Sequence, residues 1–122
     1  MHKYDSIIDV KDILNDYSLD IQEAITKDAE EVSQSARDEL KLVSPKRTGE
    51  YAKGWRVTTK KNRGSVECVV HNKKYQLTHL LERPHAKRGG GSTTPKVHIK
   101  PVEEKSVRQF EQDVEKIIKN GG

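Results

Sequence analysis

The stretch WRVTTKKNRGSVECVV, residues 55–70, differs in character from the helical pattern that precedes it. It contains two runs in which apolar and polar side chains alternate, which is the pattern of half-buried β-strands. The segment KKNRG between the runs is rich in turn-forming residues, so the two strands are predicted to form an antiparallel hairpin. The side chains that share one face are Trp55, Val57 and Thr59 in the first run and Val66, Cys68 and Val70 in the second.

A long amphipathic helix is predicted before the hairpin, over residues 18–43, because its apolar side chains recur at steps of three and four. Ser18 suits the N-cap position. Pro45 disfavours helical geometry at Ser44, so the helix is expected to end there. Residues 1–17 are interpreted as an N-terminal extension that forms either a short helix or the start of one longer, bent helix. The apolar side chains with that spacing are Ile7, Val10, Ile13, Leu14 and Tyr17.

The rest of the chain is predicted to add smaller elements and a second long helix. Residues 44–100 should hold the hairpin, a short helix in YQLTHLLE (residues 75–82), a basic loop and a short strand in KVHIK (residues 96–100). Pro101 suits the first position of a C-terminal helix over residues 101–120. The apolar stripe of that helix consists of Val102, Val107, Phe110, Val114, Ile117 and Ile118.

The order of these elements predicts a single α+β domain over residues 1–122. Its long N-terminal helix and its C-terminal helix are expected to pack on a small antiparallel β-sheet, from which a long flexible basic loop emerges. Only 32% of the residues are hydrophobic and 34% are charged. We therefore expect a thin core, whose stability depends partly on a partner or on self-association.

The composition also bears on the cellular setting. The single cysteine, Cys68, rules out an intrachain disulfide and suits a reducing cytosol. No apolar run is long enough to cross a membrane, and the N-terminal sequence MHKYDSIIDVKD lacks the apolar region of a signal peptide. The sequence therefore predicts neither a membrane partner nor export.

The net charge of +4 is unevenly distributed along the chain. Residues 1–43 carry five Lys or Arg and eleven Asp or Glu, whereas residues 44–100 carry fourteen and three. This polarity favours either an anionic partner or head-to-tail contacts between copies of the chain.

The most unusual segment is LLERPHAKRGGGSTTPKVHIKP, residues 80–101. Its basic side chains are followed by three glycines, which is typical of a flexible surface loop and also suits a binding element. The segment does not match the phosphate-binding pattern GxxxxGK[ST]. If the segment binds a partner, the residues available for docking are Arg83, His85, Lys87, Arg88, Gly89, Gly90 and Gly91.

Few residues are candidates for catalysis or metal binding. His79 and Glu82 would share a helical face, but Pro84 separates them from His85, and a structural zinc normally needs four ligands. Cys68 lies in the middle of an apolar strand and is interpreted as a core residue. We therefore expect no enzymatic activity, no catalytic residue, no metal and no cofactor. A small hydrolytic toxin that uses the two histidines and the glutamate is the weakest alternative.

The main alternative function is that of a small basic nucleic-acid-binding protein. The basic residues between positions 46 and 88 would attract phosphates. The chain has few aromatic side chains on which bases could stack, and it has no helix-turn-helix or RNA-binding motif. Weak electrostatic contact with DNA is therefore expected, and sequence-specific binding is not.

Three blocks of the sequence, taken together, resemble the small tail-component proteins of lambda-like siphophages and prophages. They are SPKRTGEYAKGWRV (residues 44–57), HNKKYQLTHLLERPHAKRGGG (residues 71–91) and VHIKPVEEKSVRQFEQDVEKI (residues 97–117). These proteins are encoded in the head–tail joining region and are described as tail completion, tail component or minor capsid proteins. The sequence departs from the family pattern at two places. Pro84 stands where the family more often has glycine, and STTPKV lacks the usual proline before the histidine.

The residues that match the family pattern fall in all three blocks. In the first block they are Pro45, Thr48, Gly49, Gly54 and Trp55; in the second, Tyr75, Leu81, Glu82, His85, Lys87, Arg88 and Gly90; and in the third, His98, Ile99, Pro101 and Glu104.

The resemblance implies a non-enzymatic structural protein at the virion neck or the top of the tail. It would assemble as a homo-oligomeric ring in head–tail joining or tail completion, with neighbouring neck and tail proteins as further partners. Before assembly it would lie in the cytoplasm of the bacterial host. The basic loop would then be an arm that settles on an acidic surface of an adjacent subunit.

Overall fold

The computed structural model describes residues 8–45, 49–74, 78, 90 and 97–121 of the chain. The α+β fold class is confirmed, with a long helix towards each end of the chain and an antiparallel sheet between them in sequence. The elements bounded within these ranges are β1 (Ile8–Ile13), α1 (Leu19–Val43), α2 (Glu50–Lys53), β2 (Trp55–Asn62), β3 (Ser65–Asn72) and α3 (Ile99–Lys119).

β3 is the central strand of the sheet, whose order is β1–β3–β2, and it pairs antiparallel with both neighbours. The predicted hairpin of β2 and β3 is confirmed. Its turn is shorter than KKNRG, because Lys60 and Lys61 continue β2. Gly64 turns the chain at a φ of +80°, which glycine adopts without a steric penalty. A β-carbon at Gly64 would also require the exposed side chain of Asn15 to move away.

The prediction of a short or bent helix within residues 1–17 is wrong over Ile8–Ile13, which form β1. Ile8 and Val10 fit helical spacing together with the apolar residues that follow, yet they also alternate with charged Asp9. Pairing with β3 decides between the two patterns, since it places Ile8 and Val10 in the core. A local sequence pattern does not contain this distant partner.

α1 begins and ends where the sequence predicted. Ser18 is its N-cap, and the Ser18 hydroxyl accepts a hydrogen bond from the backbone N–H of Ile21 at 3.3 Å. Ser44 is the C-cap, directly before Pro45. The helix packs on all three strands. Its buried residues are Ile25, Ala29, Val32, Ser33, Ala36 and Leu40.

α3 begins at Ile99, two residues before the predicted start, and the prediction of a strand in KVHIK is wrong because Ile99 and Lys100 are helical. Val97 and His98 precede the helix without strand structure. Pro101 occupies the third position of the first turn. Backbone N–H groups in that turn have no partner within the helix, so proline is tolerated there.

α1 and α3 pack along one another, and their apolar faces join the strands in one core cluster. The prediction that both long helices pack on the sheet is confirmed, although α3 does so mainly through β1. An exposed ion pair between Lys105 Nζ and Glu39 Oε1, 3.0 Å apart, also joins the helices. Such a surface pair adds little to stability, so apolar packing holds the helices together. The residues that α3 buries are Ile99, Val102, Ser106 and Phe110.

Two predictions fall outside the described residues. They are the short helix over residues 75–82, apart from Thr78, and the basic loop up to residue 96, apart from Gly90.

Phe110 is 6% exposed and is the aromatic side chain that α3 contributes to the core. We expect Phe110→Ala to lower the free energy of unfolding by about 3–5 kcal/mol, because it empties a buried aromatic site. Ile118 on the same helix is 39% exposed, and Ile118→Ala should cost at most about 1 kcal/mol. Urea denaturation measures both variants. Similar small losses in the two would show that Phe110 does not anchor α3.

Two carboxyl groups meet in the groove between α1 and α3. Asp28 of α1 faces Asp113 of α3, and Glu31 lies nearby. Burial, the hydrogen bond with Asp113 and the negative charges of Asp113 and Glu31 raise the pKa of Asp28 to about 7. The folded protein therefore holds a proton at Asp28 that the unfolded chain releases near its ordinary pKa of 3.8.

This raised pKa predicts a pH dependence of stability. Because the folded pKa of Asp28 lies above the unfolded value, the stabilising contribution is complete below pH 3.8 and is lost as the pH rises to about 7. We expect Asp28→Asn to flatten the fall in unfolding free energy over that range and to be more stable than the wild type above it. Glu23→Gln, an exposed change on α1, is the control. Equal pH slopes for wild type and Asp28→Asn would contradict the assignment.

Candidate partner-docking site

Trp55 is the first residue of β2 and lies against the C-terminal end of α1. Its indole N–H donates to Ser44 Oγ at 2.7 Å, and the Ser44 hydroxyl donates to the backbone carbonyl of Leu40 at 2.5 Å. Trp55 and Ser44 are both buried. A buried indole N–H requires an acceptor, so this serine joins the end of the helix to the beginning of the hairpin.

Tyr51 and His98 complete an aromatic cluster around Trp55. The Tyr51 hydroxyl and His98 Nε2 are 2.7 Å apart and share a hydrogen bond. The three rings meet edge to face, a favourable arrangement for aromatic pairs. Ring centroids are 5.8 Å apart for Tyr51 and Trp55, 5.5 Å for Tyr51 and His98, and 6.3 Å for Trp55 and His98. The cluster thereby connects α2 and β2 to the residue that precedes α3.

Asn72, the last residue of β3, is held against the same cluster. Its Nδ2 donates to the Tyr51 carbonyl at 2.8 Å, and its Oδ1 accepts from the backbone N–H of Lys74 at 2.8 Å. Gly54 makes room for this arrangement, since a β-carbon at that position would lie 2.7 Å from Asn72 Oδ1. The Gly54 carbonyl accepts from the backbone N–H of Lys73 at 2.9 Å, which extends the hairpin by one more pair.

The entrance to α2 also depends on a glycine. Gly49 has a φ of +82°, a conformation that is strained for residues with a β-carbon. Beside it, Glu50 Oε2 accepts from Lys74 Nζ at 2.7 Å, and this ammonium holds the pKa of Glu50 below its usual range. Because the pair is exposed, it orients the chain after β3 and contributes little to stability.

We call Ser44, Tyr51, Trp55, Asn72 and His98 the aromatic junction. All five residues are buried, and they come from distant parts of the sequence. Asn72 and His98 each hydrogen-bond to Tyr51. The chain between them, which contains the basic loop sequence, is therefore anchored at both ends to one tyrosine.

The aromatic junction unites residues from all three blocks of the phage-tail pattern. Trp55 and His98 belong to it, Gly54 contacts it, and Gly49 shapes the approach to α2. Other motif residues lie apart from it: Pro45 is half-buried after α1, Pro101 is exposed in the first turn of α3, and Gly90 is exposed at a φ of +102°. The remaining predicted site residues, Thr48, Tyr75, Glu82, Arg83, His85, Lys87, Arg88, Gly89 and Gly91, lie outside the described residues.

Sequence reasoning did not single out Ser44, Tyr51 and Asn72 as site residues. Tyr51 had a local signal, because a tyrosine four residues before the single tryptophan stands out in a chain with 5% aromatic residues. Ser44 and Asn72 have no such signal. Their roles arise only when the ends of α1 and β3 meet beside the aromatic rings.

The residues considered for catalysis or metal binding are not assembled into a site within the described ranges. Cys68 is buried in the core, and His71 hydrogen-bonds to Thr58 Oγ1 at 2.7 Å. No group of three or more His, Cys, Asp or Glu among residues 8–45, 49–74 and 97–121 is placed to hold a metal ion. The histidines and glutamate of the second block lie outside these ranges.

The sequence that forms most of this fold matches a family of phage tail components. Residues 8–83 match the family model described as "Bacteriophage HK97-gp10, putative tail-component", a range that spans β1, α1, α2 and the hairpin. The chain belongs to this family, which confirms the resemblance seen in the sequence blocks. No curated protein and no solved structure matches the chain. Among the helices that the structure describes, none has the length and apolar character needed to cross a membrane.

Ser44→Ala tests how much the junction stabilises the fold. The change leaves the buried indole N–H of Trp55 without its acceptor, and we expect a loss of about 1–3 kcal/mol in the free energy of unfolding. Ser35→Ala, at an exposed position of α1, should change it by about half a kcal/mol or less. Fluorescence of the single tryptophan follows both unfolding curves. Equal midpoints for the two variants would mean that the hydrogen bond is not structural.

Proposed function

We propose that this chain is a non-enzymatic structural protein of the phage neck or tail top, and that copies of it assemble as a ring during head–tail joining or tail completion. The family match over residues 8–83 carries the proposal. A tail component contributes surfaces to an assembly. The aromatic junction suits that task, because it anchors both ends of the loop-bearing segment on buried residues.

The basic loop is the proposed docking arm. Arg83, His85, Lys87 and Arg88 place cationic or potentially cationic groups directly before the three glycines. This stretch has little apolar surface, so charge pairing is the main source of affinity available to it. The arm would therefore select an acidic surface on its neighbour.

Exposed acidic side chains on and before α1 offer such a surface on an adjacent copy. Asp16, Asp20, Glu23 and Glu31 are exposed. A basic segment and an acidic segment on the same chain allow head-to-tail contacts, in which the arm of one copy meets the acidic surface of the next. Head-to-tail contacts close into a ring when the rotation between copies closes.

The proposed partners are other copies of the chain and the neighbouring neck and tail proteins. The chain would be made in the cytoplasm of the bacterial host and end in the virion. Contact with DNA is expected to be weak and to fall steeply with added salt, since it would depend on counterion release.

Charge reversal in the loop tests the docking arm. We expect Lys87→Glu with Arg88→Glu to leave the melting temperature nearly unchanged, because only charged side chains of a polar segment change. In a phage or prophage that carries only this variant, separate heads and tails should accumulate. Electron microscopy of lysates counts joined and separate particles, and negative staining of the purified protein shows whether rings form.

Lys116→Glu with Lys119→Glu makes the same change of charge on exposed side chains of α3 and should give normal particles. A wild-type yield of particles from the loop variant would refute the docking arm. Sequence-dependent DNA binding that survives physiological salt would favour the nucleic-acid-binding alternative.

A further inference from the structure

The sheet has two edge strands in the part of the chain that the structure describes. β1 and β2 lie on opposite sides of β3 and have no further strand paired beyond them there. Backbone N–H and C=O groups along such an edge are available to pair with another strand. The two edges differ in their surroundings and in their charge.

On β1, the odd-numbered residues direct their backbone groups away from β3. The backbone N–H of Leu14 donates to the Gly64 carbonyl at 2.7 Å, so the backbone hydrogen-bonding groups of Leu14 point towards the hairpin. Because this direction alternates from residue to residue along an antiparallel strand, the backbone N–H and C=O groups of Asp9 and Lys11 point away from β3. These two residues supply the pairing groups of the β1 edge.

A groove of about 270 Å³ lies beside this edge, between β1 and α3. Val107, Phe110 and Val114 give it an apolar wall on α3. Its charged lining residues are Asp9, Asp12 and Glu111 together with one lysine, Lys11. The groove therefore combines an open strand edge, an apolar wall and acidic side chains, which suits an added strand with basic residues.

On β2, the odd-numbered residues point outward as well. The backbone N–H of Lys73 donates to the Gly54 carbonyl at 2.9 Å, so the even-numbered residues face β3. The side chains from Thr58 to Asn62 are all exposed. The outward groups of Thr59 and Lys61 therefore lie on an accessible part of the edge.

The two edges carry opposite charge. The ionisable side chains of β2 are Arg56, Lys60 and Lys61, all of them basic, whereas β1 carries Asp9 and Asp12 beside one lysine. Pairing a β2 edge with a β1 edge brings opposite charges together. Pairing of two β2 edges would bring basic side chains together, which opposes a symmetric dimer through that strand.

The crowding of acidic groups at β1 also favours pairing with a basic strand. Asp9 lies next to Glu67 of β3, and burial together with this carboxyl group raises the pKa of Asp9 to about 6. Lys11 Nζ is 3.8 Å from Asp9 Oδ2 and compensates only in part. A cationic strand at this edge would relieve the repulsion.

We propose that β2 of one copy pairs with β1 of the next copy, in the groove beside α3, so that one sheet continues from subunit to subunit. The occupant of the groove is thus a second copy of this chain, and the contact is head-to-tail. The inference rests on the proposed assembly of copies and identifies the surfaces through which they meet. A head-to-tail contact repeats without leaving an unused edge once the ring closes.

Cross-linking between copies tests this contact. Lys11→Cys places a thiol on the β1 edge and Lys60→Cys places one on the β2 edge, and both positions are exposed. A short bismaleimide should link the two variants when they are mixed and should link neither variant efficiently alone. The native Cys68 is fully buried and should not react.

The matched control replaces Lys60→Cys by Lys41→Cys, an exposed position at the end of α1. We expect at least about tenfold less cross-linked dimer from Lys11→Cys mixed with Lys41→Cys, since no paired strands bring these positions together. Equal yields from both mixtures, or no product from the mixture of edge variants, would overturn the proposal.

Thr59→Pro removes an outward N–H without removing a ladder hydrogen bond to β3, and proline is tolerated at such edge positions. Sedimentation at increasing protein concentration should show self-association weakened by about tenfold or more relative to Thr59→Ala. Circular dichroism checks that both variants fold. Unchanged association in folded Thr59→Pro would exclude β2 as the contact and leave the proposed ring intact. A wild-type chain that stays monomeric at about 1 mM would exclude self-pairing, while particle assembly in the phage judges the proposed function separately.

Discussion

One buried donor, the indole N–H of Trp55, constrains how the ends of the main elements meet. Its acceptor is the hydroxyl of Ser44, which lies at the last turn of α1 and itself donates to Leu40. Because a buried donor without an acceptor is costly, the hairpin can begin only where α1 ends. Tyr51 and His98 then pack edge to face on this tryptophan and bring the start of α3 to the same place. The apolar faces of α1 and α3 cause the helices to pack on the sheet. The aromatic junction determines their alignment along the strands.

Buried polar groups determine the alignment of the helices on the sheet because the apolar core is small. Only 32% of the residues are hydrophobic, and the core includes small side chains such as Ala29, Ala36 and Cys68. Small side chains bury little area and allow several alignments of a helix on a sheet. Buried hydrogen bonds have strict geometry, so they select one alignment. The bonds of Asn72 and His98 to Tyr51 also fix the two points at which the loop-bearing segment leaves and rejoins the fold.

Local patterns in the sequence were sufficient for the elements whose partners lie nearby. The hairpin, α1 with its Ser18 cap and the apolar face of α3 follow from periodicity and capping. β1 could not be predicted, since its alternation is short and its partner β3 lies more than 50 residues away. The start of α3 was misplaced because Val97 and Ile99 are β-branched and Pro101 suggested a first helical position. Of the residues at the junction, the family pattern in the sequence names Gly54, Trp55 and His98, whereas Ser44 and Asn72 acquire their roles only through tertiary contacts.

The charges on the two edge strands can both prevent unwanted β-pairing and favour one specific pairing between copies. Lysines on an edge strand protect a protein against indiscriminate β-pairing, and β2 carries two of them at its exposed end. β1 is protected against unwanted β-pairing in another way, since Asp12 Oδ1 accepts a hydrogen bond from the outward backbone N–H of Ile13 at 2.8 Å. These devices discourage pairing with neutral or like-charged strands, yet they leave the outward groups of Asp9 and Thr59 available. The same charges that keep copies apart in the wrong orientation therefore favour the one orientation in which a basic edge meets an acidic edge.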